Sequence, residues 1–303
     1  MLNKEQADAL IQFCHLQANQ ARPLTRLILK QKVFELVGRT PGDQWVRRFL
    51  RARPDVLTGK AYGLDPKRAE SFRREVVYDY FDKLEDIVVK HNIQPHNIYN
   101  FDEKGVQLGG GRKNINVQYI FPRDSSNRYV LKSDSLLLIT IIEAASATGD
   151  AVPPGFILPP GDLEDFTHVP GVGCVTVTHN GWTDNSVCHQ WFSKVFIPFI
   201  NQRRQANEYV VLIMDGHKSH ETDQMLLLAL ANKIILICLP GHTTHKLQPM
   251  DVRVFGPFQT AWGKHCTEMA CKGQPVTRDT MIEEYVKASL LLNFFLDAHP
   301  YLN

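Results

Sequence analysis

Residues 209–220 read YVVLIMDGHKSH, and the fold follows from where that stretch stops. Six apolar residues, Tyr209 to Met214, end at Asp215, and Gly216 turns the chain into a polar tetrad. An unbroken apolar run of that length, closed by a breaker, predicts a strand covered on both faces. A carboxylate at the C-terminal mouth of such a strand stands where open α/β sheets take their ligands. Asp-Gly is also an ordinary turn pair, so Asp215 alone has two readings, a turn or a site. Two other segments present an aspartate in comparable surroundings, and together they favour the site.

Downstream, the pattern gives a helix around Thr222 to Ala231, a strand at Ile234 to Leu239 and a loop at Pro240-Gly241-His242. LQPMDVRVFGPFQTAW follows as a helical segment, with Asp251 near its start just after Pro249. Upstream, Val187, Trp191, Val195 and Phe196 mark a helix with Asp184 as its cap. Further back, His96 to Phe101 reads as a strand leading to Asp102 and Glu103, and Tyr129–Leu131 and Ser135–Ile142 as further strands. Thr148-Gly149-Asp150 reads as a turn, and the Pro/Gly-rich residues 152–161 as a loop. The order is strands, helix, strand, helix, strand, helix. It predicts an α/β fold, a mixed sheet flanked by helices, with antiparallel early strands followed by crossover units.

The front of the chain is all-α. Residues 3–20 place Ala7, Leu10, Ile11, Cys14 and Ala18 at helical spacing. A second helix runs from Pro23 past Leu24, Leu27, Ile28 and Phe34 and closes near Gly38. Asp43 is read as the N-cap of a short third helix, Gln44 to Arg53. That helix turns Trp45, Val46, Phe49 and Leu50 inward and Gln44, Arg47, Arg48 and Arg51 outward. Three helices with a turn before a basic third one fit a helix-turn-helix whose last helix enters the major groove of DNA. Its arginines would meet phosphates or guanine edges. The competing reading is a small bundle with a solvated basic face.

Charge follows the same division. Residues 1–75 carry 15 Lys+Arg against 8 Asp+Glu, a net of +7, and the remainder carries 19 against 24, a net of −5. A basic front end suits a polyanion and an acidic body suits cations. With 303 residues and 44% hydrophobic composition, a packed core is expected and global disorder is not. No apolar run approaches the ~20 residues of a membrane span, and MLNKEQADAL has no signal-peptide apolar region. The six scattered cysteines suit a reducing compartment better than a disulfide framework. His265, Cys266 and Cys271 lack the second ligand pair of a zinc site.

Three acids thus recur: Asp102 at a first strand, Asp215 at the end of a later one and Asp251 on a following helix. Brought together they repel unless a cation sits among them. An oxygen-only cluster selects Mg²⁺ or Mn²⁺ over zinc. Two such ions ~3.5–4 Å apart activate a water or a 3′-hydroxyl for in-line phosphodiester displacement. Singly, each aspartate reads equally well as a cap or a turn.

These blocks resemble a known family. NIYNFDEKG, VVLIMDGHKSH and LPGHTTHKLQPMDVRVFGPF are similar to the three catalytic blocks of the pogo/Tigger-type DDE superfamily transposases, and GWTDN with WFSKVFIP to the segment between their first and second acids. Residues 1–55, ending in WVRRFLRARPDV, resemble the centromere-protein-B-type helix-turn-helix that precedes that domain. The resemblance implies an RNase H-like catalytic domain with Asp102, Asp215 and Asp251 as its catalytic, metal-binding triad. It also implies a Mg²⁺-dependent cut-and-paste reaction on DNA. Glu103, His217, His220, His245 and Gln248 stand around the triad as supporting residues, with Glu103 on the opposite sheet face if the strand continues and Gln248 placed to bond a phosphate. The expected layout is a helix-turn-helix domain over 1–58, a connecting helix over 62–92, the catalytic domain over 95–275 and a short helical C-terminal tail over 276–303, for which truncation is one reading.

The expected partners are double-stranded DNA, as transposon ends and target, and a second copy of the chain on that DNA; no membrane is expected. The expected location is the nucleus. A second reading is a domesticated or decayed transposase that binds specific DNA without catalysis. A third, a nuclease for RNA–DNA hybrids, is disfavoured because the A-like groove is too narrow for a recognition helix.

Overall fold

The structure, a computed structural model, describes residues 2–19, 22–60, 71–111, 120–123, 129–130, 133–162, 165–166, 168–216 and 222–297. The chain divides into two compact units, Met1–Arg73 and Arg74–Asn303.

In the first unit, α1 spans Lys4–Asn19, α2 Arg26–Val37 and α3 Asp43–Arg51. Thr25 caps α2 by accepting from the Ile28 amide at 3.3 Å, and Gly38 ends it in the left-handed region at φ 67°. Leu10, Leu29, Val33 and Val46 form the core, with Trp45, Phe49 and Leu50 packed against it. Asp43 is not the cap expected of it. The helix starts at Asp43 itself, with Gly42 at the cap and no side-chain cap bond. The Asp43 carboxylate pairs instead with Lys30 Nζ at 2.7 Å, which also holds its pKa low.

The second unit opens with α4, Arg74–His91, and a 3₁₀ turn, Pro95–Asn97. The start of the connecting helix expected over 62–92 falls at 61–70, outside the described residues. Then come β1 Ile98–Gln107, β2 Leu138–Ser146, β3 Gly155–Leu158 and β4 Cys174–Val177. Helix α5, Asn185–Trp191, passes through a π-helical turn, Phe192–Phe196, into α6, Ile197–Asn201. Asp184 caps α5 as read, accepting from the Val187 amide at 2.9 Å. β5 Val210–Met214, α7 Asp223–Ala231, β6 Ile234–Cys238 and α8 Thr244–Leu247 follow. A second π-helical turn, Met250–Val254, leads into α9, Phe255–Cys271, and α10 spans Met281–Asp297. Helix α4 packs within this unit, with Tyr80 against Val211, Ile213 and Leu239.

Among the described residues the sheet has six strands, in the order β4-β3-β2-β1-β5-β6. β1 pairs antiparallel with β2 and parallel with β5, while β5 and β6 are parallel. This is the mixed sheet expected, antiparallel first and then crossovers. Period-two alternation sends Tyr99 and Phe101 to one face, under Trp191, Phe192 and Phe196. Val106, Ile139 and Ile141 line the other face with Phe258, Trp262 and Tyr285 of α9 and α10.

Three details correct the sequence reading. β2 starts at Leu138 rather than Ser135 and runs on to Ser146, while Tyr129 and Val130 lie in no strand and Leu131 is outside the described residues. The loop expected over 152–161 contains β3, whose four residues are all buried. β4 extends the sheet beyond it, pairing in parallel from Gly155↔Cys174 to Leu158↔Val177. Gly155 is required by packing: a Cβ there would stand 2.7 Å from Trp191 Cδ1 and 3.2 Å from Cys174 Sγ. Gly155→Ala is therefore expected to destabilise the protein by about 1–3 kcal/mol, read as a lower denaturant midpoint with unchanged slope.

Candidate active site

The parallel register Asn100↔Ile213 sets the geometry of the site. Asp102 follows Asn100 by two residues and Asp215 follows Ile213 by two, so the acids come level on strands that run about 4.8 Å apart. Asp102 lies on β1 among buried residues, while Asp215 emerges half-buried just past the end of β5. The third acid, Asp251, is exposed on the π-helical turn before α9. A π turn inserts a residue into a helix and is frequent at functional sites, because it re-aims the side chains around it.

Both other acids act on Asp102. Burial raises the Asp102 carboxyl to about 7, with the charges of Asp251 and Asp215 adding to the rise. The Glu103 amide, donating to Asp102 Oδ1 at 2.9 Å, and the Gln248 side chain pull the other way. Among the described residues no three His, Cys, Asp or Glu side chains are gathered at metal-ligand spacing. Asp102, Asp215 and Asp251 thus share a field rather than a closed shell. The donor set itself fits a hard divalent ion: three carboxylate sources, one of them held close to neutral by burial and by its neighbours' charge.

Two further charges belong to this neighbourhood and escaped the sequence reading. Glu143 is the register partner of Asp102 across β1 and β2, which puts both on one face. Burial raises its pKa, against a 2.7 Å hydrogen bond donated by Tyr285 OH. Lys104, two residues past Asp102, donates to the Phe255 carbonyl at 2.6 Å and stands 4.6 Å from that ring's centroid. Burial lowers the ammonium to about 8, opposed by Glu143, Asp251 and Asp102. A lone Glu inside the apolar run LITIIEAAS was the signal available for Glu143.

The residues expected to support the triad separate. Glu103 lies on the opposite face of β1, where its charge helps hold the Cys188 thiol up at about 12, behind the larger effect of burial. His245 is half-buried on α8. His217 and His220 lie outside the described residues. Gln248 does not face a phosphate. It is fully buried, its Nε2 donating to the Phe101 carbonyl at 3.0 Å and its Oε1 accepting from Asn100 at 2.6 Å. Its bonds are made below the surface, to β1, and not to a ligand in solvent. In the first unit, Gln44, Arg47, Arg48 and Arg51 are all exposed along one side of α3.

A mixed six-stranded sheet with helices on both faces and acids at its centre is an RNase H-like fold. The Mos1 transposase in its paired-end complex with the left transposon end superposes with a TM-score of 0.52 at 14% identity, covering 95% of this chain and 77% of that one. The Mos1 mariner paired-end complex with Mn superposes equally, TM-score 0.52 at 13% identity over 95% and 78% of the two chains. At that identity the likeness is one of fold. Residues 138–298 match the family model of the DDE superfamily endonucleases, and the chain belongs to that family. The matched segment holds Asp215 and Asp251, whereas Asp102 precedes it.

Two curated fungal proteins are also similar. One, called MFS-type transporter clz9, from Cochliobolus lunatus, is 27% identical over 189 residues, 60% of this chain and 20% of that protein. The other, Chaetoglobosin A biosynthesis cluster protein C from Chaetomium globosum, is 29% identical over 68 residues, 22% of this chain and 17% of that protein. The match spans about a fifth of the length of these relatives. Among the described residues of this chain, no helix is long and apolar enough to cross a membrane.

Proposed function

We propose that this chain is a transposase-type DNA endonuclease and strand transferase, with Asp102, Asp215 and Asp251 as the ligands of Mg²⁺ or Mn²⁺. The observation that carries the reading is Asp102, a carboxyl raised to about 7 by burial and by two other aspartates that enter from separate strands and helices. Such a cluster opposes folding unless a dication offsets it. Bound there, the ions would activate a water or 3′-hydroxyl and stabilise the leaving oxygen of the phosphodiester. The residues divide the remaining work. Asp102 forms the buried floor, and Asp215 and Asp251 stand nearer solvent, where a DNA backbone arrives. Lys104 lends a positive charge beside Asp251 and Asp102 and limits the net charge of the cluster.

Double-stranded DNA is the proposed substrate, as transposon ends and as target, handled by a dimer of the chain in the nucleus. The Mos1 neighbours, solved as a paired-end complex with a left transposon end and as a strand transfer complex, support DNA as the substrate. Gln44, Arg47, Arg48 and Arg51 are proposed to hold the DNA through the major groove. Arg47→Ala is expected to weaken binding and, for a phosphate contact, to reduce the salt slope of log K by about 1. A base-reading arginine would instead relax sequence preference at one position.

The test is a nicking assay on a plasmid carrying the DNA that flanks the gene. Nicking with Mg²⁺ or Mn²⁺ that stops on chelation supports the enzyme. Tight, salt-dependent binding without nicking leaves the second reading, a DNA-binding protein derived from a transposase.

A further inference from the structure

Three chain segments carry the acids, and one pair of buried amides ties all three. Asn100 is 7% exposed and Gln248 is 0% exposed. Asn100 Nδ2 donates to the Ile213 carbonyl at 3.0 Å and to Gln248 Oε1 at 2.6 Å. Asn100 Oδ1 accepts from the Met250 amide at 3.0 Å, and Gln248 Nε2 donates to the Phe101 carbonyl at 3.0 Å. The Gln248 side chain also lies near enough to the Asp102 carboxyl to lower its pKa. Both Asn100 hydrogens are then used, one Gln248 hydrogen is bonded, and both oxygens accept.

The network admits one orientation. Met250 offers an N–H, so Asn100 must present its oxygen there. Phe101 offers a carbonyl, so Gln248 must present its nitrogen. The bonded backbone groups lie close to the acids in sequence: Phe101 precedes Asp102 by one residue, Ile213 precedes Asp215 by two and Met250 precedes Asp251 by one. An error in any of these bonds moves an acid directly.

Resting on the metal-site reading above, we infer that Asn100 and Gln248 are positioning residues: a two-amide clasp that sets the relative placement of Asp102, Asp215 and Asp251. Neither reaches metal or DNA. They act by holding β1, the end of β5 and the turn before α9 in one register, as partners behind metal ligands commonly do.

The test is calorimetric titration of the full chain with Mn²⁺, made on wild type, Gln248→Leu, Gln248→Glu, Asp102→Asn and Thr140→Val. Gln248→Glu keeps the length and the acceptor for Asn100 but loses both donors. Thr140→Val is the structural control: it breaks the buried 2.8 Å bond from Thr140 Oγ1 to the Gly181 carbonyl, away from the clasp. The clasp predicts Mn²⁺ binding weaker by roughly 10- to 100-fold in both Gln248 variants, with DNA binding unchanged and Thr140→Val binding like wild type. Wild-type affinity in both Gln248 variants overturns the clasp and leaves the metal site standing. An equal loss in Thr140→Val at matched thermal stability also overturns it, because the effect would then be general loosening. If wild type and Asp102→Asn take up Mn²⁺ alike, the triad reading itself fails and the clasp fails with it.

Discussion

Asp215→Asn is expected to abolish metal-dependent DNA cleavage and leave DNA binding by the first unit unchanged. The substitution keeps shape and removes one charge from the set proposed to hold the ions. Metal-ion catalysis contributes several kcal/mol of charge stabilisation, so the loss is on the order of 10³-fold or more in turnover. Stability should barely suffer: Asp215 is half-buried at the mouth of β5, and its charge raises both Asp102 and Cys188. The pattern to look for is a folded protein with intact binding and no cut. Undiminished cleavage removes Asp215 from the mechanism.

Asp102→Asn is expected to do two opposite things at once. It should remove cleavage, and in chelator at pH 8 it should make the protein more stable than wild type. The sign follows from the raised carboxyl. In the unfolded chain an Asp releases its proton near its ordinary value of 3.8, whereas in the folded chain Asp102 holds it until about 7. Between those values the folded state binds more protons, so the contribution of Asp102 to stability is fully present below about 4 and lost as pH rises towards 7. Above 7 the folded protein carries the whole penalty, about 2–4 kcal/mol for a shift of this size. The neutral amide of the Asp102→Asn variant escapes it, and melting in chelator at pH 8 should rise by roughly 5–10 °C over wild type. At pH 4 the two proteins should melt together. Adding Mg²⁺ should raise wild type and not the variant. A variant less stable than wild type at pH 8 would mean that the acid is not under strain.

What could be read from the sequence is what local pattern determines. Tyr209 to Met214 is apolar throughout because β5 is buried on both faces, so its end, and with it Asp215, stood out. Gly38 and Asp184 were legible, since a turn or cap requires their chemistry locally, although Thr25, a cap of the same kind, escaped notice. Asp43 shows the limit of that rule: the residue type suits a cap, but a lysine on α2 claimed the carboxylate. GFIL, β3, was hidden between Pro153-Pro154 and Pro159-Pro160, whose turn character outweighed four apolar residues. Its strand character comes from pairing with β2 and β4, which no local pattern records.

The site divides in the same way. Acids next to breakers were visible. Gln248 was placed beside them, but its bonding and the part of Asn100 were not visible, because the two lie 148 residues apart. Glu143 acquires its place only through the antiparallel register that sets it across from Asp102. Gln248, beside an acid and in a polar segment, looked like a ligand for phosphate. It is buried structure instead, and only its hydrogen bonds to Asn100 and Phe101 reveal this.

The proposed chemistry stands on three aspartates, from β1, the end of β5 and the turn before α9, holding divalent ions in common. Crystals grown with Mn²⁺ and measured for anomalous scattering would show whether they do. A manganese peak is expected within ligand distance, about 2.0–2.3 Å, of carboxylate oxygens from Asp102 and at least one of Asp215 and Asp251. Manganese bound only elsewhere, with the three carboxylates still apart at saturating metal, would refute the shared site.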